Sequence, residues 1–198
     1  MVYKRLIPVV LIKHGMLVRS QEFKVHQVIG NPISTIHRYS SWDVDELVLL
    51  DISREGDFHE LRRNDIQVEY DGKTFLDVIK AVSPVCSMPL TVGGRINSLS
   101  DIRERLELGA DKCVINTAAL NDPSFIEQCA KTFGSQCITV GIDVKKNNDG
   151  SYSIWKNGGL EQENKSVLDW VKEIESLGAG ELLVTSMDTD GIQTGFDK

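Results

Sequence analysis

Short runs of β-branched and aliphatic residues recur along the chain, and each is followed by a loop and then a helical pattern. The runs are Leu6 to Ile12, Glu46 to Ile52, Met88 to Gly93, Lys112 to Asn116, Cys137 to Val144 and Glu181 to Met187. They are continuous rather than alternating, as strands buried on both faces of a parallel sheet are. Alternating β-then-α units of this kind imply an α/β fold with a parallel sheet or barrel.

The helical segments carry their own start and stop signals. Asn31-Pro32 and Asp122-Pro123 suit a cap residue followed by proline at the first helical position. Ser166 with Asp169 resembles a capping box ahead of Val167, Leu168, Trp170, Val171 and Ile174. Gly109 and Gly178 stand where helices close with a left-handed residue.

An internal echo favours a barrel over an open sheet. Val9-Val10-Leu11-Ile12-Lys13 returns as Gly141-Ile142-Asp143-Val144-Lys145, and Glu46-Leu47-Val48-Leu49 returns as Glu181-Leu182-Leu183-Val184. The first and second strands thus recur as the fifth and sixth, the mark of a duplicated half. The expectation is a TIM (βα)8-type barrel of which about six βα units are present, forming a single domain over residues 1–198. An eight-unit barrel takes roughly 250 residues, so the last two units are missing. The edges at the first and sixth strands would be unpaired unless another copy or a partner covers them. Residues 53–71 form a long polar insertion after the second strand, either a lid or docking element at the C-terminal barrel face or a tolerated surface insertion.

Composition narrows the function. A net charge of -7 with scattered Lys and Arg argues against nucleic-acid binding, which needs a clustered basic surface. No apolar run approaches the roughly 20 residues that span a bilayer, and the N-terminus lacks a signal-peptide pattern, so a cytoplasmic protein without membrane contact is expected. The four cysteines form no C-x-x-C pair, and His14, His26, His37 and His59 show no metal-ligand spacing. No metal or cofactor is expected. Cys113 and Cys137 fall inside strand runs, where cysteine behaves as a small buried hydrophobe.

Many separate motifs, in order, resemble the cyclase subunit of imidazole glycerol phosphate synthase. They include Lys4-Arg5-Leu6-Ile7-Pro8, Asp45 to Ile52, Pro89 to Gly94, Gly109 to Lys112, Ile115 to Ala119, Phe133 to Gln136, Gly178 to Glu181 and Ser186 to Gly191. The resemblance implies an eight-unit barrel that receives ammonia from a glutaminase docked on its N-terminal face and binds a two-phosphate ribonucleotide at its C-terminal face. It implies phosphate contacts at Gly93, Gly94, Asn116, Thr117, Asp190 and Gly191, where small residues let backbone N–H groups approach an anion. Gly93-Gly94 read alone is simply a turn. Asp51 and Asp188 lie near neighbouring strand ends, and Arg19 stands where the family has a mobile lysine.

Arg5, Glu46, Lys112 and Glu181 correspond to the family's ring of charges around the ammonia entrance. Read physically, the same four residues equally suit an ion-pair plug closing the barrel bottom. The family divides its acid and base roles between two aspartates. Asp143 fills one position; Leu11 fills the other and transfers no proton. Arg95 replaces the third glycine of the phosphate loop, adding a guanidinium that either binds phosphate or fills the pocket.

A paralogous group of cyclase-like barrels shares the loss of the first aspartate. Those proteins pair with a glutaminase and supply ammonia for amidating nucleotide-linked sugars of surface polysaccharides, alongside an ATP-dependent sugar amidotransferase. The retained charges beside Leu11 make this role the leading expectation. The alternatives are a genuine cyclase subunit of histidine biosynthesis, with proton transfer moved to Asp51 or Asp188, and a non-catalytic phosphosugar-binding scaffold.

Overall fold

The computed structural model describes residues 3–54 and 74–197, so the expected insertion at 53–71 lies almost wholly outside the described residues, as does His59. The chain divides into two compact units. One is built on Met1–Arg19, Gln27–Arg95 and Ser100–Cys113, the other on Ser20–His26, Ile96–Leu99 and Val114–Lys198.

The first unit holds β1 (Val9–Lys13), most of β2 (Met16–Gln21) and of β3 (Val25–Gly30), whose connecting turn belongs to the second unit, then α1 (Pro32–Ser41), β4 (Leu47–Asp51), α2 (Phe75–Val82), β5 (Leu90–Gly93) and all but the first residue of α3 (Leu99–Glu107). β1 runs parallel to β4, with Leu11 opposite Leu50, and β4 runs parallel to β5, with Leu50 opposite Gly93. β2 returns antiparallel along β1, setting Val18 opposite Leu11. The expected open edge of the first strand is therefore covered over its C-terminal half by a hairpin that the continuous apolar pattern did not announce.

Helix starts follow the sequence signals. The Asn31 side chain accepts from the N–H of Ile33 with Pro32 at the first helical position, and Thr74 and Asp77 exchange a complete capping box. Each such cap is worth about 1 kcal/mol because it satisfies N–H groups that the helix leaves open. Ile36 from α1 and Val78, Ile79 and Val82 from α2 are buried, as are Leu47, Leu49, Leu90 and Val92 of the strands.

β6 (Lys112–Ile115) is divided between the units. The second unit continues with α4 (Thr117–Asn121), α5 (Ser124–Phe133), β7 (Ile138–Lys146), β8 (Tyr152–Lys156), β9 (Glu161–Ser166), α6 (Val167–Ser176) and β10 (Glu181–Ser186). β10 lies parallel to β7, while β8 pairs antiparallel with β7 and β9 antiparallel with β8. The Asp122 carboxylate accepts from the N–H of Ser124, but α5 starts at Ser124 with Pro123 at its cap, one residue later than the sequence signal, and the Ser166 hydroxyl accepts from Asp169 N–H, one half of the expected capping box. Trp170 of α6 is fully buried, and the Lys165 ammonium lies 4.2 Å from its ring centroid.

The internal echo extends further than the paired strands. β1, the hairpin β2–β3, α1 and β4 follow the same order as β7, the hairpin β8–β9, α6 and β10. The fold is α/β with a mixed sheet, which corrects an all-parallel reading of six βα units, because antiparallel hairpins follow both members of the echo. Boundaries shift as well. Arg5 precedes β1 and Glu46 immediately precedes β4, so neither stands inside its strand, and Cys137 lies in a 3₁₀ turn, partly exposed. Cys113 is buried in β6 as expected.

Candidate functional site

The second unit carries a carboxylic acid on β7, an amide at the start of α4 and an indole on β8. Gly141, Asp143 and Lys145 alternate on one face of β7, while Ile142 and Val144 bury on the other. A Cβ at Gly141 would meet the Asn116 side chain at 3.4 Å, so the absent side chain leaves room for that amide. Asn116 Nδ2 donates to Asp143 Oδ2 at 2.9 Å. Burial pushes the Asp143 carboxyl up to about 6; the Asn116 bond opposes the rise and the nearby Asp190 charge adds to it. A carboxyl poised there takes or returns a proton close to neutrality.

Two further loops frame this group. Asp190 Oδ2 accepts from the Ser20 hydroxyl at 2.6 Å and from Phe23 N–H at 3.2 Å, and its carbonyl accepts from Glu22 N–H. Gly191 has φ +67, and a Cβ there would collide with the Ser20 carbonyl. Asp190-Gly191, expected at a phosphate, therefore clasps the turn between β2 and β3. Thr117 Oγ1 accepts from Asn157 N–H at 3.1 Å, which leaves its hydroxyl proton to donate elsewhere. Asp188 Oδ2 accepts from Lys146 N–H at 2.7 Å, fixing the end of β7.

In the first unit, Gly94 (φ +105) presses so closely on Asp51 that a Cβ would collide with the Asp51 carbonyl. Arg95 has φ +56, the left-handed region in which a side chain costs roughly 1 kcal/mol or more. This is where the family resemblance places a glycine. Arg105 Nη2 donates to the Gly94 carbonyl, and the Asp51 carboxylate accepts from Ser53 N–H. Arg19 lies on β2 of the same unit and Gly93 closes β5.

Three of the four expected gate charges meet on one carboxylate. Glu46, only 2% exposed, accepts from Arg5 Nη1 at 2.9 Å, from Lys112 Nζ at 3.0 and 3.1 Å, and from Thr91 Oγ1 at 2.6 Å. Such full coordination is what a buried charge requires. Glu181 belongs to the second unit, at the start of β10 opposite Thr139. Leu11 joins an apolar cluster with Met16, Val18, Val28 and Ile52, with no proton-transfer group among them.

The family model for "Histidine biosynthesis protein" matches residues 5–198. The chain belongs to this family. Among histidine biosynthesis proteins, it is 42% identical to the imidazole glycerol phosphate synthase subunit HisF of Staphylococcus saprophyticus over 198 residues, all of this chain and 73% of that relative. It is 43% identical to the subunit of the same name from Exiguobacterium over 197 residues, spanning 72% of the relative, and 39% identical to that of Streptococcus sanguinis, spanning 73%. Among the described residues no helix is long and apolar enough to cross a membrane, and no group of three His, Cys, Asp or Glu side chains is placed to hold a metal ion.

Trp155 and Asn157 were not expected at the site. The alternation in Tyr152-Ser153-Ile154-Trp155 ahead of Gly158-Gly159 is a hairpin signal that would have found both.

Proposed function

We propose that this chain is a cyclase-type synthase subunit of the imidazole glycerol phosphate synthase kind. It binds a phosphorylated sugar nucleotide, takes ammonia from a glutaminase partner, and uses Asp143 as its proton-transfer group. The observation that carries this reading is the Asp143 carboxyl, raised to about 6 and held by Asn116. The 38–43% identity to HisF subunits supports it. Within the first unit Gly93, Gly94, Arg95, Arg19 and Asp51 take the phosphate-binding role, and within the second unit Asn116, Thr117, Asp188 and Gly191 take that role. Asp190 acts by holding the β2–β3 turn. Arg5, Lys112 and Glu46 take the role of ammonia-entrance charges in the first unit, and Glu181 takes that role in the second.

The test is turnover of the ring-forming ribonucleotide substrate with ammonium chloride in place of the glutaminase. Product formation that vanishes in Asp143→Asn supports the reading, and absence of product at high enzyme concentration defeats it.

A second reading is favoured by Leu11 and its apolar cluster, which leave Asp143 without the family's other aspartate. In it the chain conducts ammonia toward amidation of a nucleotide sugar for surface polysaccharide, working with a glutaminase and an ATP-dependent sugar amidotransferase. Stimulation of a bound glutaminase without any ring product selects this reading over the first.

A further inference from the structure

Asp143 and Trp155 are directly opposed residues of the antiparallel pair β7–β8, and opposed residues in such a pair project from the same face. Lys145 and Ser153 are the next opposed pair but one position along, and they share that face. The buried pair between them, Val144 and Ile154, projects to the other side, into the core. One face of this hairpin thus presents a carboxyl, an indole and an ammonium together.

The indole is prepared for contact through its ring. Its N–H is consumed inside the hairpin, donating to Ser153 Oγ at 3.0 Å. Ser153 is itself fixed, donating to the Lys145 carbonyl and the Asn147 side chain. Lys145 Nζ lies 5.4 Å from the ring centroid. Trp155 remains partly exposed, whereas Trp170, the tryptophan of α6, is fully buried. Trp155 is thus a partly exposed indole on the hairpin face that carries Asp143.

We infer that Trp155 is a stacking platform for the planar heteroaromatic ring of the ligand, holding that ring beside Asp143 while Lys145 faces an anionic substituent. Stacking on an indole favours any flat π-system, and the neighbouring cation adds attraction for an anion. Trp155 is a positioning residue: it moves no proton and sets where the reacting ring lies. The inference rests on the proposed phosphosugar-binding role.

Two probes separate the inference from that role: ribose 5-phosphate, which has no ring base, and adenosine 5′-monophosphate, which carries one. With the full chain, binding is followed by equilibrium dialysis and by quenching of tryptophan fluorescence. The expected result is at least ten-fold tighter binding of the ring-bearing probe. Trp155→Leu should lose roughly ten- to a hundred-fold in affinity for that probe while leaving ribose 5-phosphate unchanged. Trp155→Phe, which keeps a ring, should retain most of the preference and guards against simple misfolding. Binding of ribose 5-phosphate with no gain from the base overturns this inference alone. An equal loss of both probes in Trp155→Leu also overturns it, since that marks a structural role. Failure of the wild-type chain to bind either probe overturns the phosphosugar role and this inference with it.

Discussion

The side-chain amide of Asn116 donates a 2.9 Å hydrogen bond to the carboxylate of Asp143, and that bond favours the charged acid against the burial that disfavours it. Asn116→Ala should therefore move the acid limb of the activity profile to higher pH, above about 6. A pH–rate series on both proteins checks this; an unmoved limb would show that the amide does not act on the acid.

The same burial makes Asp143 a burden on stability. Its folded pKa of about 6 lies above the ordinary 3.8, so the folded state holds the proton longer than the unfolded chain does. The favourable contribution is complete below pH 3.8 and is lost as pH rises through 6. At pH 8 Asp143→Asn should be more stable than the wild type by about 1–3 kcal/mol, with the gain shrinking toward pH 5. Urea melts at the two pH values give the comparison, and a gain equal at both would contradict the account.

At Glu46 the order of effects is set by burial. Removing the carboxylate in Glu46→Ala takes away the acceptor shared by Arg5, Thr91 and Lys112, whose side chain is only 16% exposed, and should cost about 3–5 kcal/mol. Arg5→Ala removes a partner that is 49% exposed and should cost under about 1 kcal/mol. Equal losses in urea unfolding would refute this ranking.

Gly94→Ala forces a methyl group against the Asp51 carbonyl while φ stays at +105. Its cost should be about 2–4 kcal/mol, well above that of an exposed helix substitution. Arg95→Gly should instead stabilise by up to about 1 kcal/mol, because φ +56 suits glycine. Thermal melts of the two variants should move in opposite directions.

The parallel framework was readable because β1, β4, β5, β6 and β7 carry runs of aliphatic residues that are largely buried, and β10 repeats the aliphatic run although its Leu182 and Val184 are exposed. The hairpins were not. Glu161-Gln162-Glu163-Asn164-Lys165-Ser166 has no apolar periodicity, and β9 is held through its ladder with β8 and through Lys156, which reaches Glu161 and Glu163. At the site, Asp143 and Glu46 were named through the family resemblance of the motifs around them, since a lone charge beside an apolar run carries no role by itself. The bonds from Asn116 to Asp143 and from the β2–β3 turn to Asp190 were not legible, because hydrogen-bond partners depend on pairings that spacing alone does not show.

Leu11 and Asp143 occupy equivalent places in the echoed segments, each facing its own returning hairpin strand, Val18 in one case and Trp155 in the other. One copy has become greasy and the other has stayed acidic. A catalyst left with a single such handle must be re-armed by bulk solvent between taking a proton and giving one back, so any turnover should quicken with buffer concentration and slow in heavy water.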